Sequence, residues 1–502
     1  MQWSSSHLPV WCLLVQLDDM NRKENLESIF NPTSVAIAGV APGNLGQAFL
    51  DSLLDSGFQG RVYPLNPKGG EVSGVKVYAN IKDVPEPVDY VICCIPAPAV
   101  PQLIKDCAAK GVKVVSIYTA GFSESGSREG KQLEIEVCHL AQASGIRILG
   151  PNCLGVYHPE VGLSYASDFP KERGEVALIC QSGGSIIYLI RAAALRGVRF
   201  SKAISYGNAC DIDESELLEY FTKDVETKII ASYIEGVKDG QRFHRVLKEL
   251  SATKPVIILK AGYTPAGARA VASHTGALAG SNEVWDRLLQ QAGAIRVYDL
   301  EELVDMMVTF SYLSLPKGRR VATCGGGGGF NVLATDGHAE AGFILPPLPQ
   351  QLQKEISQEI RNFVKTDAGM ILNNPFDITN IASGEGHYAI LRRLADYKGF
   401  DLLVTHVSVN NSEWPYVGAS YNIWPDIFTD ATIKVHHEVG KPTAVVIHGI
   451  LSTRDLQRTL ELQQKCCEAG LPVYHSIKSA AKAIDRFLRY HEKRLASARK
   501  GC

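Results

Sequence analysis

Several signatures are missing from the 502 residues of this chain, and each absence removes a class of function. Twelve cysteines are scattered along it, two pairs of them adjacent (Cys93-Cys94 and Cys466-Cys467). None form a C-x-x-C pair, so neither a zinc site nor a local redox motif is indicated and no metal is expected. Scattered free thiols fit a reducing cytosol, which makes a cytoplasmic protein the expectation. Charge of one sign is not in excess: 51 Lys and Arg face 53 Asp and Glu, for a formal net charge of -2. That balance leaves no electrostatic footprint for nucleic acid, and Lys493, Arg494, Arg499 and Lys500 read as a solvated tail. The apolar run at residues 8–17 lacks a basic flank, ends in Asp18-Asp19 and is too short to span a bilayer, so no membrane association is expected. Residues 1–25 read as a disordered leader or a mis-called upstream start, with Met20 the expected beginning. No P-loop is found.

What is present is a succession of short apolar runs, each breaking into a glycine-bearing turn and then a helical pattern, the signature of an α/β protein of about three domains. In the first, residues 26–152, Val35 to Ala38 runs into Gly39, Gly43, Asn44 and Gly46 before a helix, a turn that aims a helix N-terminus at a phosphate. The spacing is not the dinucleotide G-x-G-x-x-G. The second strand, Arg61 to Leu65, closes with Asn66-Pro67-Lys68 where a NAD site would place an acid. Lys68 suits the phosphates of coenzyme A better, and a NAD-dependent oxidoreductase is disfavoured. Later strands end in loops holding Pro96, Gly121 and Asn152, all placed to line one crevice.

The second domain, residues 173–312, opens with Val176 to Ile179 and the turn Gln181-Ser182-Gly183-Gly184. Ser182, Gly183 and Gly184 at a helix start offer a hydroxyl and N–H groups to an anion; an ordinary N-cap is the competing reading. Ile229 to Ile234 ends in Glu235. Pro255 to Leu259 leads to Lys260 and then to Ala268-Arg269-Ala270-Val271-Ala272-Ser273-His274-Thr275-Gly276-Ala277-Leu278-Ala279-Gly280, read as a long small-residue loop on a strand's carboxyl end. His274 is its one strongly nucleophilic side chain, suited to carrying a phosphoryl group between partners, with Gly276 beside it to contact phosphate. Glu235 at the same sheet edge can fix the imidazole tautomer, and Lys260 and Arg269 can offset phosphoryl charge; a surface loop glutamate and ordinary surface charges are the competing readings.

The third domain, residues 316–492, echoes the second. Lys254-Pro255-Val256 recurs as Lys441-Pro442-Thr443 and Gly293 as Gly470, with 39 residues between the paired landmarks in the first copy and 29 in the second. The difference matches the stretch bearing His274. The third domain therefore reads as a related layer without the nucleophile, its turn being the glycine run Gly325–Gly329.

Ser273-His274-Thr275-Gly276-Ala277-Leu278-Ala279-Gly280 resembles the phosphohistidine loop of ADP-forming acyl-CoA synthetases, relatives of succinyl-CoA synthetase, and the likeness extends from about Asn31 to the end. The resemblance implies a Rossmann-like CoA-binding domain followed by two flavodoxin-like parallel-sheet domains. It also implies CoA at the first domain's loops, Glu235 orienting His274, Ser182 holding its phosphate, and Gly150-Pro151-Asn152-Cys153 as a packing motif. The family's site for ADP or ATP and Mg2+ lies in ATP-grasp domains that this chain lacks. That makes it the α component of a hetero-oligomer with an ATP-grasp β subunit, acting on a small organic acid or acyl-CoA and inorganic phosphate. Gly325–Gly329 departs from the family's more varied turn. The competing class is a non-catalytic CoA- or acyl-CoA-binding regulatory protein with the same fold.

Overall fold

A computed structural model of the chain describes residues 26–275, 281–361, 363, 372–378, 381, 383–409 and 424–500. The leader assigned to residues 1–25 and Gly276, expected to contact phosphate, lie outside them. Contacts divide the chain into two units: Met1–Arg191 with Arg199–Tyr298, and Ala192–Val198 with Asp299–Cys502.

The first unit holds two sheets. Strands β1 (Ser34–Ala38), β2 (Arg61–Leu65), β3 (Gly70–Val72), β4 (Val75–Val77), β5 (Tyr90–Cys93), β6 (Val114–Ile117) and β7 (Arg147–Leu149) come first. Five of them form a parallel sheet in the order β2-β1-β5-β6-β7, while β3 and β4 make an antiparallel hairpin. β1, β5, β6 and β7 are buried along their whole length, as continuous apolar runs must be when helices cover both faces of a parallel sheet. The helix Leu45–Asp55 starts at Asn44, whose carboxamide accepts from the Gln47 N–H and fills one of the open donors of the first turn.

Strands β8 (Gly155–Tyr157), β9 (Val176–Cys180), β10 (Phe200–Ser205), β11 (Ile229–Ile234), β12 (Val256–Lys260) and β13 (Ile295–Val297) form the second sheet, ordered β13-β12-β11-β9-β10-β8. Only β8 is antiparallel. One apolar cluster joins the two sheets, including Val35, Ile37 and Tyr90 from the first and Ala177, Ile179 and Ile204 from the second.

The stretch read as a loop from Ala268 onward is corrected here. A helix runs Pro265–Thr275. Pro265 takes the first helical position, where its missing N–H costs nothing, and the Thr264 hydroxyl accepts from the Gly267 N–H at 3.0 Å. Four alanines at 266, 268, 270 and 272 then give the backbone the residue that loses least on becoming helical. Of the side chains described in this helix, only Val271 is buried.

The second unit is built on β14 (Val321–Gly325), β15 (Phe376–Asp377), β16 (Leu402–Ser408), β17 (Thr443–His448) and β18 (Val473–Tyr474), all parallel in the order β15-β14-β16-β17-β18. The helix Leu300–Tyr312, expected to end the second domain, belongs to this unit. Its buried face packs on the helix Ile477–Lys500, with Phe310 edge-on to Phe487 at 4.9 Å and Thr309 hydrogen-bonded to the Tyr474 hydroxyl at 2.8 Å.

The internal repeat has a physical basis. Apart from the antiparallel β8, the two later sheets share one strand order: a first strand, the second on one side of it, and three more in turn on the other. The Lys-Pro lysines also do the same work: Lys254 donates to the Phe221 and Asp224 carbonyls at 2.6 and 2.5 Å, and Lys441 to the Tyr397 and Phe400 carbonyls, both at 2.7 Å. Each ammonium thus satisfies open carbonyls at or just beyond the end of an earlier helix, Glu214–Lys223 for Lys254 and Gly384–Asp396 for Lys441. Asn374 also acquires a role. Its carboxamide accepts from the Thr323 N–H at 3.0 Å and donates to the Val321 carbonyl at 2.8 Å, so one side chain extends the edge of β14 before β15 begins pairing.

Candidate active site

Open parallel sheets bind ligands at the carboxyl ends of their strands, where the order of connection reverses. In the first sheet that point lies between β1 and β5, and the chain leaves these strands at Gly39 and at Cys94. They meet tightly: a Cβ on Gly39, whose φ is +98°, would stand 2.9 Å from the Cys94 carbonyl oxygen, and one on Gly46 would stand 2.6 Å from the Gly39 oxygen. Glycine at both positions is what lets the helix start sit on the strand ends.

The residues named for CoA gather at this edge with different freedoms. Asn44 is spent internally, donating to the Gly39 carbonyl and accepting from Ala41 and Gln47, and the Gly43 N–H is taken by the Gln47 side chain at 2.7 Å. Lys68 and Pro96 are exposed, and Asn152 is half-buried with a left-handed φ of 59°. The Gly121 and Phe122 N–H groups form a small anion nest, filled by the chain's own Glu124 carboxylate at 2.6 and 3.1 Å. The other Glu124 oxygen accepts from Asn208 at 2.6 Å. Cys153 is buried, its sulfur donating toward the Leu149 carbonyl at 3.4 Å, and burial pushes its thiol up to about 12, as fits a packing residue.

In the second sheet the reversal lies between β9 and β11. The register sets Cys180 beside Tyr233 and Ile234 beside Lys260, so Gln181, Ser182, Glu235 and Lys260 emerge side by side. Gln181 ties the edge together: its carboxamide oxygen accepts from the Glu235 N–H at 2.8 Å, the Gly236 N–H at 3.3 Å and the Tyr206 hydroxyl at 3.5 Å. Ser182 is half-buried and its hydroxyl accepts from the Ser185 N–H at 3.3 Å, the capping role, with Gly183 opening the helix Gly183–Leu195 and Gly184 exposed beside it. Glu235 is buried and accepts from the Tyr233 hydroxyl at 3.3 Å.

Lys260 closes β12 rather than following it, and is 1% exposed. Its ammonium lies over the Trp285 ring at 5.2 Å and donates to the Ala261 carbonyl. Burial first, then the Arg296 charge, pull its pKa down to about 8, with Glu235 opposing. Arg269 is exposed on the helix Pro265–Thr275. This helix follows directly from the Lys260 edge, has His274 as its penultimate residue, and lies beside the turn Ser123–Ser125 of the first sheet. The segment that bears the histidine thus connects the two strand-end edges.

Sequence reading missed Gln181, Tyr233 and Glu124 as parts of this edge. Gln181 finds its partner 54 residues away and Glu124 its partner 84 away, separations that leave no local pattern. In the third sheet the corresponding reversal lies between β14 and β16, and among the described residues no counterpart of the His274 helix stands there. A Cβ on Gly325 would stand 2.3 Å from the His406 ring, which explains glycine at the head of that run. His406 is fully buried, bonded to Asn331 at 2.9 Å, and pulled down to about 3 by burial and by His448.

Comparison with known proteins agrees with this architecture. A CoA binding domain matches residues 33–159, and a succinyl-CoA ligase like flavodoxin domain matches residues 173–310. The chain is 36% identical over 476 residues to the acetate–CoA ligase (ADP-forming) I subunit alpha of Pyrococcus furiosus, covering 93% of this chain and 98% of that one. It is 39% identical over 368 residues to the acetate–CoA ligase (ADP-forming) of Methanocaldococcus jannaschii, 72% of this chain but 50% of the relative's length. The solved dinucleotide-forming acetyl-coenzyme A synthetase 1 of Ca. Korarchaeum cryptofilum, in complex with phosphate and ADP, superposes with a TM-score of 0.78 at 30% identity, covering 95% of this chain and 98% of that one. With near full-length agreement on both sides, the chain belongs to the family of ADP-forming acetate–CoA ligase alpha subunits, within the succinyl-CoA ligase superfamily.

Proposed function

We propose that this chain is the α component of an acid–CoA ligase that interconverts acyl-CoA, phosphate and ADP with the acid, CoA and ATP, using His274 as a phosphoryl carrier. Phosphate attacks the thioester to give acyl phosphate and release CoA. The imidazole then takes the phosphoryl group and frees the acid, and finally passes that group to ADP. Splitting the transfer this way is nucleophilic catalysis.

The observation that carries the reading is the placement of the helix Pro265–Thr275. It springs from the strand end where buried Lys260 and Glu235 stand, is anchored among its described side chains by Val271 alone, and lies beside the turn that follows Gly121. A carrier that serves two sites must be able to leave its place, and the small residues of this segment suit that. Glu235 orients the imidazole. Ser182, Gly183, Gly184 and Gly276 contact the phosphoryl oxygens, aided by the dipole of the helix Gly183–Leu195. Gly39, Gly46, Lys68, Pro96 and Asn152 line the CoA crevice. Gly43, Asn44 and Gly121 shape its turns. The nucleotide and its magnesium ion, which supplies charge neutralisation, belong to a separate ATP-grasp β subunit. The relative named an alpha subunit is spanned almost whole and the one not so named only by half, which supports that division.

Incubating the chain with acetyl phosphate should give one acid-labile, base-stable phosphate, absent in His274→Asn. Labelling that survives His274→Asn, or no labelling of a folded wild type by acetyl phosphate or by acetyl-CoA plus phosphate, overturns the reading in favour of a non-catalytic CoA-binding protein.

A further inference from the structure

The turn that leaves β6 holds an anion-binding shape that is already in use. Gly121 has a φ of 104°, and its N–H and that of Phe122 converge on one oxygen of the Glu124 carboxylate, at 2.6 and 3.1 Å. Successive N–H groups arranged this way make a concave site for an anion. Here the chain supplies the anion itself. Gly121 is exposed and Glu124 half-buried, so an anion from solvent can reach the same donors. A Cβ on Gly121 would stand 3.6 Å from the Ala97 Cβ in the loop leaving β5, so glycine keeps a gap open between the two loops.

The occupant is crowded by other acceptors. The second Glu124 oxygen accepts from Asn208 Nδ2 at 2.6 Å, and the same nitrogen donates to Glu134 Oε2 at 2.9 Å and to Ser123 Oγ at 3.2 Å. Two hydrogens thus serve three acceptors, two of them carboxylates. Asn208 is 7% exposed, yet its own carbonyl oxygen has no partner among the described residues. Acceptors outnumber donors here, and two like charges at one nitrogen repel, so the cluster holds one carboxylate in surplus. Glu134 is tied down by the Ser123 N–H at 3.3 Å and the Ser123 hydroxyl at 2.7 Å. Glu124 is the one whose donors reach the exposed crevice.

We propose that the Gly121–Phe122 nest is the subsite for the carboxylate of the acid substrate, and that Glu124 is a plug which this carboxylate displaces. The assignment rests on the reading of the chain as part of an acid–CoA ligase. The group now in the nest is itself a carboxylate, so the donors already match the head group of an organic acid. The position fits as well. β5 and β6 leave their sheet at this point of the CoA crevice, and the turn Ser123–Ser125 lies beside the helix Pro265–Thr275, so an acid held here is next to both the thioester path and the segment bearing His274. In the empty protein Glu124 keeps the nest in shape; in the loaded one it gives way, and relief of its repulsion with Glu134 offsets part of the cost of leaving.

Equilibrium dialysis of the full-length chain against radiolabelled acetate tests this. Glu124→Ala should bind acetate about threefold or more tighter than the wild type, because a site closed by its own plug shows an affinity reduced by the fraction of time it stands open. Glu124→Gln, which keeps the shape and loses the charge, should fall between the two. A residue that only braces the turn gives the opposite sign. Affinity that is unchanged or lower in Glu124→Ala, or acetate bound by neither the folded wild type nor the folded variant, overturns the assignment; should Glu124→Ala not fold, the same criterion is read on Glu124→Gln. Displacement of the acetate by an equal concentration of inorganic phosphate would make the nest a general anion site and overturns it too. Dialysis reads occupancy rather than phosphoryl transfer, so its failure would leave the His274 reading to stand or fall on its own labelling experiment.

Discussion

Lys260 ends a buried strand with its ammonium against an indole ring and a carbonyl, within the field of Arg296 and of Glu235. Burial of a charge without a dedicated carboxylate partner costs stability, and the protein concedes it by letting the pKa fall to about 8. The sign follows from linkage. Between the folded value near 8 and the unfolded value of 10.5 the folded state holds fewer protons, so this group's contribution to stability rises with pH across that window. Its functional charge runs the other way, present below about 8 and lost above. Phosphorylation of His274 by acetyl phosphate should therefore slow as pH rises through 8. In Lys260→Met it should be about tenfold or more slower at pH 7, with that limb of the profile gone. Thermal unfolding at pH 7 should show the variant at least as stable as the wild type, since a buried charge has been replaced by an apolar chain of similar length. A variant that keeps its full rate, or retains the fall near pH 8, removes Lys260 from the phosphoryl site.

At the scale of elements, the paired lysines make the repeat testable. Lys254 and Lys441 each bond two carbonyls behind a helix end, and burial lowers both pKa values, so each is held by geometry rather than by a surface ion pair. Replacing either with Met should cost about 1–2 kcal/mol of unfolding free energy in denaturant titration, through carbonyls left without a donor. Equal losses at the two positions support a shared structural device, and no loss at either dissolves the parallel. The strands were legible because most are apolar runs that break into a polar or glycine-bearing turn, and Arg61–Leu65 and Ile229–Ile234 fall where the pattern puts them. The helix Pro265–Thr275 was misread because alanine, glycine and serine look like a loop by composition, while alanine spacing and a Thr-Pro start favour a helix. β8 was invisible: three residues, Gly155–Tyr157, carry no period. Glu235 and Ser182 could be placed at strand ends from the sequence alone. That they flank the reversal between β9 and β11 needed the strand order, and the burial of Lys260 needed Trp285 and Arg296 beside it.

For the molecule as a whole, the question is which half of the phosphoryl cycle one chain performs. The two sheets of the first unit share a core and set their strand-end loops against each other through Asn208, Glu124 and the turn beside the helix Pro265–Thr275, and the proposed function puts both thioester chemistry and histidine phosphorylation in this unit. Transfer to ADP is different. Phosphoryl transfer to a nucleotide is catalysed almost entirely by positioning and charge neutralisation, which require donors for the β-phosphate and a metal held by carboxylates. Under the proposed function both are supplied by the ATP-grasp β subunit. The phosphohistidine on the isolated chain should accordingly be stable to ADP and Mg2+ over the time in which acetyl phosphate labels it. Adding an ATP-grasp subunit of this family should discharge it, with ATP appearing one for one. ATP formed by the isolated chain from acetyl-CoA, phosphate and ADP would mean that the nucleotide site lies within these 502 residues, and the division of labour drawn here would be wrong.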